Sequence, residues 1–240
     1  IGPFSQDLSD KLLPPSRQHW LGTDDRGRDV LSRIIWGARV SMQVGFVAVG
    51  ISILIGIVLG ALAGYYGRWV DAVILRLIAI MLVFPTFFLV ITVIAFLPPS
   101  IYNIMVVIGL TNWTHIARLV RGEFLRQREQ DYATAARASG LRDARIIFRH
   151  ILPNALSPVF VSAAFGVAGA ILTESALSFL GFGVPPPAPS WGEILKQSQS
   201  YVDFAWWLVT FPGLAIFLTV TAFNLAGEGL RDAMDPRLRQ

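Results

Sequence analysis

From Met42 to Tyr65 the chain carries no charged side chain, a run longer than the roughly 20 residues with which a helix crosses a ~30 Å hydrocarbon layer. Four more apolar stretches match that length: Val70 to Leu97, Ile101 to Val120, Ile151 to Leu180 and Ala205 to Gly227. The second carries Asp71 and Arg76 near its start and the fourth carries Glu174 near its end, while the fifth has no charge. A large soluble core would be broken by charges every ten or so residues; here 54% of residues are hydrophobic, only 15% are charged, and the charges come in blocks. A barrel strand would need about ten residues of period-two alternation, which these runs lack. The expectation is an all-α, polytopic membrane protein with five transmembrane helices in the residues at hand.

Basic residues orient it. Six Lys and Arg precede the first span, Arg68 and Arg76 flank the turn after it, eight lie from Arg118 to Arg149, and three are in the tail. The alternate loops at 98–100 and 181–204 hold only Lys196. Positive residues favour the cytoplasmic side, so the Gly67 turn, the 121–150 loop and the C-terminus are expected inside. Residue 1 then starts outside, and the charge pattern predicts a sixth helix upstream of Ile1.

Three regions follow. Residues 1–37 form an external arm and interfacial helix, 38–227 the transmembrane domain with a cytoplasmic loop at 121–153, and 228–240 a cytoplasmic tail. In the arm, Asp29 is placed to cap an amphipathic helix from Val30 toward Ser41, lying at the outer interface with Trp36 as anchor. The acidic cluster around Asp24 and Asp25 lacks the ligand alternation and closing Glu of a calcium loop, and no metal is expected. Gly56 and Gly60 make a small-xxx-small pair for close helix packing, and Pro85 should kink the second span. There is no cysteine, which excludes disulfides and thiol chemistry.

The 121–153 loop is too polar to cross and too patterned to be a tether. Asp131 is placed as an N-cap before Tyr132 to Ser139, and Gly140 falls where a left-handed C-terminal cap belongs. Leu141, Ala144, Ile147, Phe148 and Ile151 then recur at helical spacing, ending at Leu152-Pro153. A basic amphipathic helix can simply rest on anionic lipid. Ala133, Ala135, Ala136 and Ala138 offer too little apolar area for that, but small side chains beside a Gly turn suit a tight protein groove.

Thr134-Ala135-Ala136, three residues, Gly140, nine residues, His150 and then Leu152-Pro153 resemble the cytoplasmic loop of bacterial ABC importer permeases. That family has Glu at the Thr134 position and Ile at the His150 position. Gly22-Thr23-Asp24-Asp25, Gly27-Arg28-Asp29, Leu177-Ser178-Phe179-Leu180-Gly181, Pro189-Ser190-Trp191-Gly192 and Gly229-Leu230-Arg231-Asp232 are similar to the dipeptide, oligopeptide and nickel branch, second-permease type. The resemblance implies the type I importer fold. It also implies four kinds of partner: a second permease, two cytoplasmic ABC ATPases, an external solute-binding protein and membrane lipid, with no nucleic acid. Asp131, Tyr132, Thr134, Ala135, Ala136, Gly140, Leu152 and Pro153 would be the ATPase-coupling residues.

No Gly-x-x-x-x-Gly-Lys-Ser/Thr loop occurs, so no cofactor is expected in this chain; ATP and Mg would be bound by the partner ATPases. Glu174, an acid within an apolar span, is a candidate for the pathway or for a structural anchor held by Ser175 or Ser178. His115, beside Thr114 and Asn112, faces the same choice, and the structural role is preferred. The Pro-rich loop at 184–204 could contact a binding protein. Two rivals stay open: an ion-driven secondary transporter, which would want paired ionisable groups at midplane, and a membrane-embedded hydrolase, which would want a catalytic cluster that His19, His115 and His150 do not form.

Overall fold

The computed structural model describes residues 2–234 and is helical, with one isolated bridge between Thr23 and Asp29. Its longest element, α1 (Val30–Tyr66), spans 37 residues, about 55 Å at 1.5 Å per residue. Asp29 caps it by accepting from the Ser32 N–H at 2.9 Å. The separate interfacial helix expected to end near Ser41 does not exist, because α1 runs unbroken from the arm into the bundle. No Pro stops it near Ser41, Gly37 and Gly45 remain helical, and Arg33, Gly37, Ser41 and Val44 already form a buried face at helical spacing.

Against α1 lies α4 (Ile101–Gln127), capped by the Ser100 hydroxyl. The two touch along most of their length because α1 turns glycines toward α4: a Cβ on Gly56 would sit 2.5 Å from the Ile116 Cβ, and one on Gly60 would sit 2.5 Å from the Ala117 carbonyl oxygen. The predicted small-residue pair is thus a contact at backbone distance. Ser52 fastens it, donating across to the Gly109 carbonyl at 2.9 Å.

Between these helices in sequence come α2 (Arg68–Val83) and α3 (Thr86–Ala95), bent by 81° at Phe84-Pro85. Pro85 does more than kink the span: it ends one helix, since its ring excludes a helical residue before it, and starts the next. Arg121 holds α2 to α4 through both oxygens of Asp71. The outer face of this pair is bare and apolar, with Val83 and Phe88 about two-thirds or more exposed.

After the loop come two pieces of the same bundle. The first short helices are α5 (Asp131–Ala138), α6 (Asp143–Arg145), a π-turn at Ile146–Ile151 and α7 (Leu152–Ala155). Then α8 (Ser157–Phe179) packs on α1, α9 (Trp191–Ser198) lies across one end, and α10 (Trp207–Met234) packs on α8. Three helices, α1, α8 and α10, are long and apolar enough to cross a membrane, and α2 with α3 makes a fourth if the bent pair is one span. The expectation of five is therefore met only in part. The window at Ile101 to Val120 continues into a helix that carries Arg118, Arg121, Glu123 and Arg126. The tail from Asp235 to Gln240 lies outside the described residues.

Candidate functional site

The residues singled out in the sequence gather at two ends of the bundle. At one, α5 stands on a rigid base. Its N-cap is Gln130, with no side-chain cap bond, so Asp131 is the first helical residue rather than the cap expected. A carboxylate there still faces the positive helix end. Gly140 adopts φ +75°, its N–H donates to Arg137 O at 2.9 Å, and the Leu141 N–H reaches back to Ala136 O at 3.3 Å. That is a complete Schellman stop, available to Gly because a Cβ is disfavoured at such φ.

One side of α5 is spent on internal packing. Ala133 and Ala136 are buried with Phe124 of α4, Ile146 and Ile151, and Val159 of α8. Ala136, expected among the docking residues, therefore faces inward. The outward face holds Asp131, Tyr132, Thr134, Ala135, Arg137 and Ala138. Tyr132 is steadied by donating to Gln127 Oε1 at 2.7 Å, and Arg137 donates to the Arg128 carbonyl.

The second amphipathic stretch differs from its sequence reading. Ile146 and Ile151 are both fully buried, whereas Ala144 and Phe148 are exposed. The π-turn accounts for Ile146 and Phe148: i to i+5 bonding places residues five apart on one side, shifting the face by one position, while Ala144 precedes it on the short α6. Leu152 is half-buried, while Pro153 is exposed in the first turn of α7, where its missing N–H costs nothing.

At the other end, motifs far apart in sequence meet. Arg33 of α1, fully buried, donates to Asp24 of the arm, to Gln197 Oε1 at 2.6 Å and to Glu193 Oε2 at 2.6 Å, both of α9. Arg28 adds a 2.6 Å bond to Asp24 and a 2.9 Å bond to Gln197. Ser190 caps α9 through the Glu193 N–H, and the Trp191 indole donates to the Ile34 carbonyl at 3.0 Å. Burial pushes the Glu193 carboxyl up, against the pull of Arg33 and Arg28. Sequence reading missed this network; the Asp24/Arg28 spacing was its one local sign, and the α9 partners lie over 160 positions away.

Glu174 sits beside this junction with no exposed surface. Its Oε1 accepts from Ser178 at 2.7 Å, and Ser41 of α1 and Ser175 approach Oε2 at 3.4 and 3.5 Å. A Cβ on Gly192 would lie 2.6 Å from the Ser175 Cα, so α9 lies directly on this turn of α8.

Two cavities run between the ends. One of about 340 Å³ lies between α1, α4 and α8 and is partly open to the outside, with Ser52, Asn112, His115, Ser162, Gly169 and Thr173 on its wall. A second, about 530 Å³, opens toward the α5 end and is lined by Leu119, Glu123, Ser157 and Arg231. His115, Ser162 and Phe165 belong to both. Glu174 lines neither. Among the described residues no cluster of three or more His, Cys, Asp or Glu could hold a metal.

Residues 56–240 match the family model described as binding-protein-dependent transport system inner membrane component. The chain is 48% identical over 231 residues to a dipeptide transport system permease protein of Alkalihalophilus pseudofirmus, covering 96% of this chain and 76% of that protein. It is 44% identical to a glutathione transport system permease protein of Pectobacterium atrosepticum, covering 94% and 75%. In fold it is similar to a chain of the MetNI methionine ABC transporter in an inward-facing conformation, with TM-score 0.67 at 18% identity over 84% of this chain and 96% of the other. Apolar helices long enough to span a membrane and 185 residues matched to the family model agree: the chain belongs to the inner membrane components of binding-protein-dependent transport systems, and is a multi-pass permease subunit of an ABC importer.

Proposed function

We propose that this permease forms half of a pathway for short peptides and is driven through α5 by separate ATPase subunits, which bind ATP and Mg and hydrolyse the nucleotide. The relatives named for dipeptide and glutathione transport support the peptide assignment. In this reading five segments cross: α1, α2 with α3, α4, α8 and α10, the charges of α4 gathering in its last turns where it leaves the membrane. Its basic loops and C-terminus face the cytoplasm, and the arm and α9 face the binding protein. The bare apolar side of α2 and α3 faces lipid or the second permease.

The observation that carries the coupling role is the division of α5 into two faces. Ala133 and Ala136 lock it to α4 and α8, while Tyr132, Thr134, Ala135 and Ala138 stay outward and shallow. A push on that outer face reaches the spans as a rigid-body movement, through Phe124 on α4 and, by way of Ile151 and the Leu152-Pro153 turn of α7, through Val159 on α8. Thr134, standing where Glu is usual, leaves contact there to shape rather than to charge. Glu174 acts as an anchor between α1 and α8, and the external junction steadies the far end of α1.

The test is co-purification of ATPase subunits with the tagged protein from native membranes. Gly140→Pro cannot adopt φ +75° and loses the N–H bond to Arg137, so it should insert normally but lose the ATPases. Gly140→Asn, which tolerates the left-handed region, should retain them. Equal recovery from Gly140→Pro, or wild type recovered alone, would overturn the assignment.

A further inference from the structure

The partly open cavity between α1, α4 and α8 is of the right size for a ligand, about 340 Å³, where small-molecule pockets run from roughly 300 to 1,000 Å³. Its chemistry is particular. The polar side chains on its wall are amide, hydroxyl and imidazole groups, with no acidic side chain, Lys or Arg among them. Charge begins only in the adjoining cavity, with Glu123 and Arg231. Several wall groups have one hydrogen-bonding function already occupied and another left over. Asn112 donates to the Ile108 carbonyl at 3.0 Å, leaving its side-chain oxygen to accept. Thr173 donates to the Gly169 carbonyl at 2.8 Å, leaving its lone pairs. His115, one turn from Asn112 on α4, stands where the two cavities join and can donate from one ring nitrogen and accept at the other.

Resting on the peptide-importer reading above, we propose that this cavity is a transient cargo subsite in which Asn112, His115 and Thr173 hydrogen-bond the backbone amides of a passing peptide, His115 handing it from the inner cavity to the one at the α5 end. Such a wall reads what all peptides share. Neutral hydrogen bonds stabilise modestly, so cargo is held firmly enough to enter an apolar span and weakly enough to leave. Gly169 sets the width: a Cβ there would meet nothing within 4 Å, so a larger side chain projects into the void without disturbing the helices.

The experiment uses the complete transporter in proteoliposomes with its binding protein, measuring ATP-driven uptake of a labelled dipeptide and a labelled tripeptide. Gly169→Leu should lower tripeptide uptake several-fold more than dipeptide uptake. Gly50→Leu, also in open space but lining neither cavity, should leave their ratio unchanged. His115→Ala should slow both peptides by about two- to tenfold, the loss of one ordinary hydrogen bond, with His115→Gln restoring part of the rate. Wild-type ratio and rates in both Gly169→Leu and His115→Ala would overturn the subsite while leaving the importer reading intact. Failure of the wild type to take up either peptide, with ATPases bound, would instead overturn the peptide assignment itself.

Discussion

Arg33 is the most demanding single residue: a fully buried cation serving Asp24, Glu193 and Gln197 at once. Arg33→Leu would leave two buried carboxylates without their shared partner, a loss of about 3–5 kcal/mol in which the partners' desolvation counts for more than the lost bonds. The arm should then become cleavable by protease in the folded protein, where wild type resists. Asp29 gives a pH dependence. Burial alone would raise its carboxyl, but the Ser32 N–H, the His19 ring and the Ser32 hydroxyl together hold it below the usual range. A depressed folded value adds stability that is present above the unfolded value, about 3.9, and is lost as pH falls through the folded one. Protease resistance of the arm should therefore persist from neutral to about pH 4 and fall below it, and Asp29→Asn should weaken the cap at neutral pH and flatten that acid response. At Glu174 the anchor role predicts that Glu174→Gln, which still accepts from Ser178, keeps its melting temperature. Glu174→Leu, which strands the Ser178 and Ser41 hydroxyls, should cost about 1–3 kcal/mol.

Among the elements, α1 with α4 is the axis on which the rest is built, and its tightness comes from what is missing. Gly60→Leu would drive a side chain into the Ala117 carbonyl and Val120, 2.5 and 2.8 Å from the Cβ, and the helices would have to part. The expected result is loss of folded yield in membranes, whereas Gly50→Leu, ten residues earlier in open space, should express normally. The sequence made this legible because small-xxx-small spacing and close approach are the same fact. It made the Gly140 stop legible for a similar reason, since one left-handed residue ends one helix. What it hid were effects that need a partner in space. The π-turn at Ile146–Ile151 changes which apolar residues share a face without changing composition, and so Phe148 turns outward where Ile146 turns in. Ala136 fits an outward small face by type and turns inward only because Phe124 and Ile146 lie behind it.

For the whole molecule, the sequence motifs divide between the two ends of a helical bundle. Gly22 to Asp29, Leu177 to Gly181 and Pro189 to Gly192 converge on α9 and the N-terminal end of α1, while Ala135 to Gly140 and Leu152-Pro153 form the opposite end. The two are joined by α1, α4 and α8, whose cavities share His115. An importer driven from one end and loaded at the other needs this division. Charge blocks and apolar windows conveyed the membrane class and set the 121–153 loop apart, but not the cavities, which arise from three helices brought together. Coupling through α5 is tested most directly by cross-linking, since the chain has no native cysteine. A thiol-to-amine cross-linker in native membranes should join an ATPase subunit to Ala135→Cys, on the outward face, and not to Ala133→Cys, on the buried one. Capture of ATPase from neither position, or equally from both, in protein that inserts normally would contradict it.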